Sequence, residues 1–200
     1  MKILATADIH GSQHRLNILL KNVERYSPDL VVICGDITQF GPGELARNFL
    51  EQIPIETLAV TGNIDTKDVS KSINDSNAVN IEGKKVIKKG IAFIGINGVD
   101  SEQMRIALEK KLIDNTSILV SHEPPYGAQD KAFLGKHQGN QDLRGIIEKY
   151  RPRLVLCGHI HEDPGFSSIN ETIVVNCSMG KRGEGSLIEI NEKIKVRMLD

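Results

Sequence analysis

Five short apolar runs in this chain each close on a residue able to ligate a metal, and that recurrence restricts the fold more than any other feature. Lys2-Ile3-Leu4-Ala5-Thr6-Ala7 runs into Asp8-Ile9-His10, and Leu30-Val31-Val32-Ile33-Cys34 into Gly35-Asp36. Thr57-Leu58-Ala59-Val60 is followed by Gly62-Asn63-Ile64-Asp65, Ser117-Ile118-Leu119-Val120 by Ser121-His122, and Leu154-Val155-Leu156-Cys157 by Gly158-His159-Ile160-His161. Continuous apolar runs bounded by turn residues read as strands buried on both faces. Alternating with helices, they mark an α/β chain with a covered parallel sheet. Ligand sites in such sheets gather at the carboxyl ends of the strands. Asp8, His10, Asp36, Asn63, His122, His159 and His161 are therefore expected in one crevice. Seven oxygen and nitrogen donors are too many for one ordinary site and suit two metals sharing a ligand.

The segments between these runs supply the helices. Ser12 is a plausible N-cap, and Leu16, Leu19, Leu20 and Val23 keep helical spacing to about Tyr26. The free N–H groups of that helix start beside Asp8 and His10, an arrangement that favours anions. Further helices are expected over Glu44 to Gln52, Asp65 to Ser72, Ser101 to Leu112 and Leu143 to Tyr150. Val86 to Ile96 reads as two strands joined near Lys89-Gly90. Three strands are expected after Thr172: Ile173 to Asn176, Ser186 to Ile190 and Lys195 to Leu199. The stretch from Tyr126 to about Asn140 is a long loop, a kind that is often functional.

The bulk numbers exclude several classes. Two hundred residues are expected to form one domain over the whole length. The formal net charge of -1 gives no global positive field for nucleic acid or an anionic membrane, and no segment is long enough to span a bilayer. No signal-peptide core precedes Asp8. Cys34 and Cys157 sit inside apolar runs, and no disulfide framework is apparent among the three cysteines. A cytoplasmic location is the expectation.

Asp8-Ile9-His10-Gly11, Gly35-Asp36, Gly62-Asn63, His122 and Gly158-His159-Ile160-His161 resemble, in type and order, the calcineurin-like metallophosphoesterases. The small size resembles their compact bacterial and archaeal phosphodiesterase branch. The resemblance reaches from the first strand to Asn176. It implies a four-layer α/β/β/α sandwich with two mixed β-sheets. It also implies two divalent ions, Mn, Fe or Zn. One would be held by Asp8, His10, Asp36 and His161, the other by Asp36, Asn63, His122 and His159, with Asp36 bridging. Two cations roughly 3.5–4 Å apart clamp a phosphoryl group and lower the pKa of a bridging water. The hydroxide so formed attacks phosphorus in line. A small phosphoester, with nucleotide-derived compounds among the candidates, is the implied substrate.

One block departs from the family pattern. The usual G-N-H-[DE] is here Gly62-Asn63-Ile64-Asp65, and isoleucine cannot protonate a leaving group. Phosphodiester hydrolysis is therefore expected over monoester hydrolysis. His137, in Gly135-Lys136-His137-Gln138-Gly139, is a candidate replacement, and the loop is expected to bring Lys136 or His137, with Asn63, to the substrate. Two other readings stay open. One is a non-catalytic scaffold on the same fold, resembling a retromer subunit, and the other is a phosphomonoesterase or nuclease. The nuclease variant is disfavoured, because the chain is expected to lack a basic stripe and a capping domain.

Overall fold

Alternation along single strands builds two cores at once. A computed structural model describes residues 1–97, 101–181 and 183–200. Its elements are β1 (Lys2–Thr6), α1 (Gln13–Tyr26), β2 (Leu30–Cys34), α2 (Gly43–Glu51), β3 (Thr57–Val60), α3 (Lys67–Asn74), β4 (Val79–Asn80), β5 (Lys85–Lys88), β6 (Ile91–Asn97) and α4 (Ser101–Glu109). They continue as β7 (Ile118–Ser121), α5 (Gln141–Tyr150), β8 (Leu154–Cys157), β9 (Gly165–Ile169), β10 (Thr172–Asn176), β11 (Ser186–Ile190) and β12 (Ile194–Met198). Successive strand side chains point to opposite faces. Leu4, Val31 and Ile33 therefore join Leu16, Leu19 and Phe49 under the first three helices. Their neighbours Ile3, Ala5, Leu30 and Val32 face Phe93, Ile118, Val120 and Leu156 of a second sheet. Val155 and Cys157 turn away from that middle core to pack under Leu143 and Ile147 of α5. The result is four layers, α/β/β/α.

Both sheets have six strands, in the orders β12-β11-β1-β2-β3-β4 and β5-β6-β7-β8-β10-β9. Both are mixed. β1, β2 and β3 run parallel, as do β6, β7, β8 and β10, while β11, β12, β5 and β9 are antiparallel to their neighbours. The parallel strands therefore deliver their carboxyl ends to one edge of each sheet. There the sheets are joined: Ala7 bridges Ser178, with Ala7 N donating to Cys177 O and Met179 N to Ala7 O.

The departures from sequence expectation have local causes. The helix expected from Asp65 begins at Lys67, because the Asp65 carboxylate accepts backbone N–H groups of Ile37, Thr38 and Gly62. The helix expected to reach Leu112 stops at Glu109. Lys111 takes a left-handed φ of 50°, and Leu112 N turns back to Ala107 O, a usual way to close a helix. β9 was not expected. It is a polar edge strand, Gly-Phe-Ser-Ser-Ile, with only its last residue buried, so it carries no apolar run to read.

Candidate metal centre

The loops that follow β1, β2, β3, β7 and β8 converge, and their backbones are tightly constrained. Asp8, His10, Asp36 and His159 have φ of 63°, 53°, 51° and 69°. Such conformations cost non-glycine residues on the order of 1–3 kcal/mol each and persist only where the surroundings impose them. The hydrogen bonds from Asp8 N to Gly35 O and from His10 N to Asp36 O, at 3.1 and 2.8 Å, lock the first two loops together. His159 N donates to the Asp8 carboxylate at 3.1 Å, which draws in the loop after β8. The glycines that precede three of the donors are needed for this closeness. A Cβ on Gly62 would lie 2.1 Å from Asp36 Oδ1, and one on Gly158 would lie 2.2 Å from Ala7 Cβ.

All seven donors expected from the sequence are brought together. On one side, His10 Nε2 is 3.1 Å from His161 Nε2, which is 3.4 Å from Asp8 Oδ1. On the other, Asn63 Oδ1 is 2.8 Å from His122 Nε2 and 3.1 Å from His159 Nδ1. Asp36 stands between the halves, with Oδ2 3.4 Å from His122 Nε2 and 3.9 Å from His10 Nδ1. Asp8 and Asp36 are buried, and so is His122.

The donor set fits cations. His122 Nδ1 lies 2.9 Å from Cys34 O and must donate its proton there, so the neutral ring presents a bare Nε2 to the bare Asn63 Oδ1. Two acceptors at that distance repel unless a proton or a cation lies with them. Among the described residues, the buried His10 Nδ1 has no hydrogen-bond partner. Imidazole, carboxylate and amide donors together suit Mn, Fe or Zn.

Without a cation, a proton takes over part of that role. Burial opposes charge on His122, but the Asp36 and Asp8 carboxylates and the Cys34 carbonyl outweigh it, and its pKa is pushed up to about 9. His161 is raised by its hydrogen bond to Asp8, against burial. Burial would raise the Asp8 carboxyl, yet His161, His122 and Ser178 hold it well below the usual carboxylate range. Burial lowers His10 and His159, the latter helped by His122.

A stability signature follows. A folded-state pKa above the unfolded value stabilises the protein below the unfolded pKa, and that stabilisation is lost as pH rises through the folded pKa. For His122 the window runs from its ordinary 6.5 to about 9, worth about 3 kcal/mol. Cation binding needs deprotonated ligands and gains with pH. Thermal melts should therefore show Tm in EDTA falling from pH 6.5 to 9 while the gap to the Mn²⁺-loaded protein widens. A gap independent of pH would refute this competition between proton and metal.

Lys136 and His137 stand apart from the seven. Among the described residues, no hydrogen bond or ion pair joins either side chain to them. His137 Nδ1 is instead 2.6 Å from Asp130 Oδ1, and its ring lies 5.6 Å from that of Tyr126. Asp130 is buried and organises the loop, accepting also from Gly127 N and Gly139 N. Burial would raise its carboxyl, but these hydrogen bonds hold it low. Sequence reasoning missed Asp130, and it missed Asp65 and Arg15 in their roles here. Asp65 straps the loops after β2 and β3 together. Arg15 donates to Asp8 O at 2.6 Å.

Comparison with known proteins places this arrangement. A family described as calcineurin-like phosphoesterase matches residues 1–163. The chain belongs to the calcineurin-like phosphoesterase family. A relative in Methanocaldococcus jannaschii, the uncharacterized protein MJ1162, is 36% identical and is aligned over 89% of this chain and 88% of its own. A probable glycerophosphodiester phosphodiesterase GpdQ of Arcobacter nitrofigilis is 26% identical over 77% of this chain and 64% of its own. The crystal structure of TT1561 of Thermus thermophilus matches the fold with a TM-score of 0.73 at 16% identity, covering 98% of each chain. Among the described residues of this calcineurin-like phosphoesterase, no helix is long and apolar enough to cross a membrane.

Proposed function

We propose that this phosphoesterase is a phosphodiesterase working with two divalent cations, Mn, Fe or Zn. Asp8, His10, Asp36 and His161 hold one, and Asp36, Asn63, His122 and His159 hold the other. The observation that carries this reading is the convergence of seven donors, with His122 Nε2 and Asn63 Oδ1 2.8 Å apart. Bound cations there supply Lewis acidity to a phosphoryl oxygen and make water a usable nucleophile near neutral pH. The residues themselves set the geometry: Asp36 reaches both halves, and the left-handed backbones aim the side chains before substrate arrives.

The choice of a diester rests on position 64. Ile64 stands where the family resemblance puts a proton donor. The Asp130–His137 pair is the substitute. Asp130 fixes the Nδ1 proton, so Nε2 is the atom that carries a proton to the leaving oxygen. The loop bearing the pair is anchored to both ligand-bearing segments. Asn140 Nδ2 donates to Glu123 Oε2 beside His122, and Lys131 N donates to Asp163 Oδ2 just past His161. A phosphodiesterase name on the Arcobacter relative points the same way. The three buried free thiols support a reducing, cytoplasmic setting.

Hydrolysis of bis(p-nitrophenyl) phosphate tests the reading. Added Mn²⁺ should start steady release of p-nitrophenolate from this diester, whose stabilised leaving group needs little help from a general acid, and release should be faster than from p-nitrophenyl phosphate, which has the same leaving group. No release with Mn²⁺, Fe²⁺ or Zn²⁺ would leave the scaffold reading instead.

A further inference from the structure

The helix α1 leaves the metal centre end-on. Its first turn lies against Asp8 through Arg15, and its fourteen residues carry it about 20 Å away. A groove follows its exposed side. Nearest the centre is a cavity of 300 Å³ lined by His14, Arg15, Ile18 and Lys181. A second hollow of 480 Å³ shares His14, Ile18 and Glu184 with it and adds Lys21 and Arg25. A third, of 540 Å³, shares Arg25 and is walled by Lys2, Tyr26, Lys195 and Arg197. The shared lining residues set the three cavities side by side along α1. Met179 and Lys181 line the near end of the groove, and Gly180 between them packs so closely on His161 that a Cβ there would lie 2.6 Å from His161 Cβ.

The charged side chains lining this groove are mostly basic. Glu184 and Glu189 are the carboxylates that line it. Among the described residues, Arg15, Lys21, Arg25, Lys195 and Arg197 form no ion pair. Lys181 at the near end does pair, with Glu162 Oε1 at 3.7 Å. At the far end the guanidinium carbons of Arg25 and Arg197 lie 5.1 and 4.7 Å from the Tyr26 ring centroid. Flat guanidinium and aromatic groups of this kind are surfaces on which unpaired bases stack. The basic residues are scattered from position 2 to position 197, so no stripe is visible in the sequence. The fold assembles one.

We propose that this groove tracks the backbone of a single-stranded oligonucleotide and leads one of its phosphodiesters to the metal centre. The cleavage part rests on the phosphodiesterase reading above, and the binding part does not. An oligonucleotide is the polyanion whose repeating linkage is itself a phosphodiester, which is why the centre at the end of the groove favours it over an acidic peptide.

The test is fluorescence anisotropy of a labelled oligothymidylate with the full chain in EDTA. Binding should weaken steeply with salt, the mark of phosphate contacts. The double substitution K21E/R25E, on the exposed face of α1, should weaken binding about tenfold or more, and K21Q/R25Q should weaken it less. Neither should change bis(p-nitrophenyl) phosphate hydrolysis, while Mn²⁺-dependent cleavage of the oligonucleotide should lose through KM with kcat kept. Equal binding by the native chain and K21E/R25E, or displacement of the oligonucleotide by polyglutamate at matched charge, overturns the groove. Intact, salt-sensitive binding without diester hydrolysis supports the groove and removes the phosphodiesterase reading. Hydrolysis without binding does the reverse.

Discussion

Replacing Asp36 by alanine is expected to remove at least one cation and to lower kcat/KM for an aryl diester about 10³-fold, since a lost cation forfeits several kcal/mol of charge stabilisation. Asp36 Oδ2 lies 3.4 Å from His122 Nε2 and 3.9 Å from His10 Nδ1, so one carboxylate serves both halves of the site. Its other oxygen accepts from Ile64 N at 3.2 Å, a bond that holds the loop after β3. Alanine removes both functions. Asparagine separates them: Asp36→Asn keeps the shape and an acceptor for Ile64 N while it removes the charge. That variant should keep its circular dichroism and still bind fewer ions by calorimetry. Two full sites in Asp36→Asn would show that Asp36 does not bridge.

The seven donors were legible because two independent signals coincide at each. The apolar run locates a strand, and the first donor after it must lie at the strand's carboxyl end. Parallel neighbours then bring those ends to one edge, whatever the loops do. The four-layer architecture came from the family resemblance. Alternating burial along β1, β2 and β8 explains it in retrospect, but a run apolar on both faces does not say what covers each face. Features made by distant pieces of chain could not be read. Asp65 looked like the start of a helix because its partners, Ile37 and Thr38, lie on another loop. Asp130 carries no periodicity and shows its role only through three hydrogen bonds within its own loop. The left-handed backbones at Asp8, His10, Asp36 and His159 leave only a faint trace in residue type: Asp and His are enriched there among non-glycine residues, but glycine, the usual occupant, is absent from all four. The basic path over α1 is hidden for a related reason. A net charge of -1 averages over the surface, while pairing along the surface decides which cations stay free.

Loss of the His137 imidazole is expected to separate substrates by leaving group. A general acid contributes most when the departing oxygen is a poor leaving group, such as an alkoxide, and little when it is a stabilised phenolate; the range is about 10²–10⁴-fold. Position 64 offers no proton, because Ile64 is aliphatic and its backbone N is committed to Asp36 Oδ1. If His137 Nε2 supplies the proton, His137→Gln should slow alkyl diesters about 10²-fold and leave bis(p-nitrophenyl) phosphate within a few-fold of the native rate. Asp130→Asn should reproduce part of that loss, since the carboxylate 2.6 Å from Nδ1 fixes the ring. Ile64→His, made in the His137→Gln background, should restore alkyl substrates selectively, because residue 64 is half-buried beside Asp36. Two results would remove His137 from the chemistry. One is an equal loss on aryl and alkyl diesters in His137→Gln, which would mark a residue that only holds its loop against Asp130. The other is fast alkyl diester hydrolysis by the double variant Asp130→Asn/His137→Gln, which would mean that the proton reaches the leaving oxygen by another route.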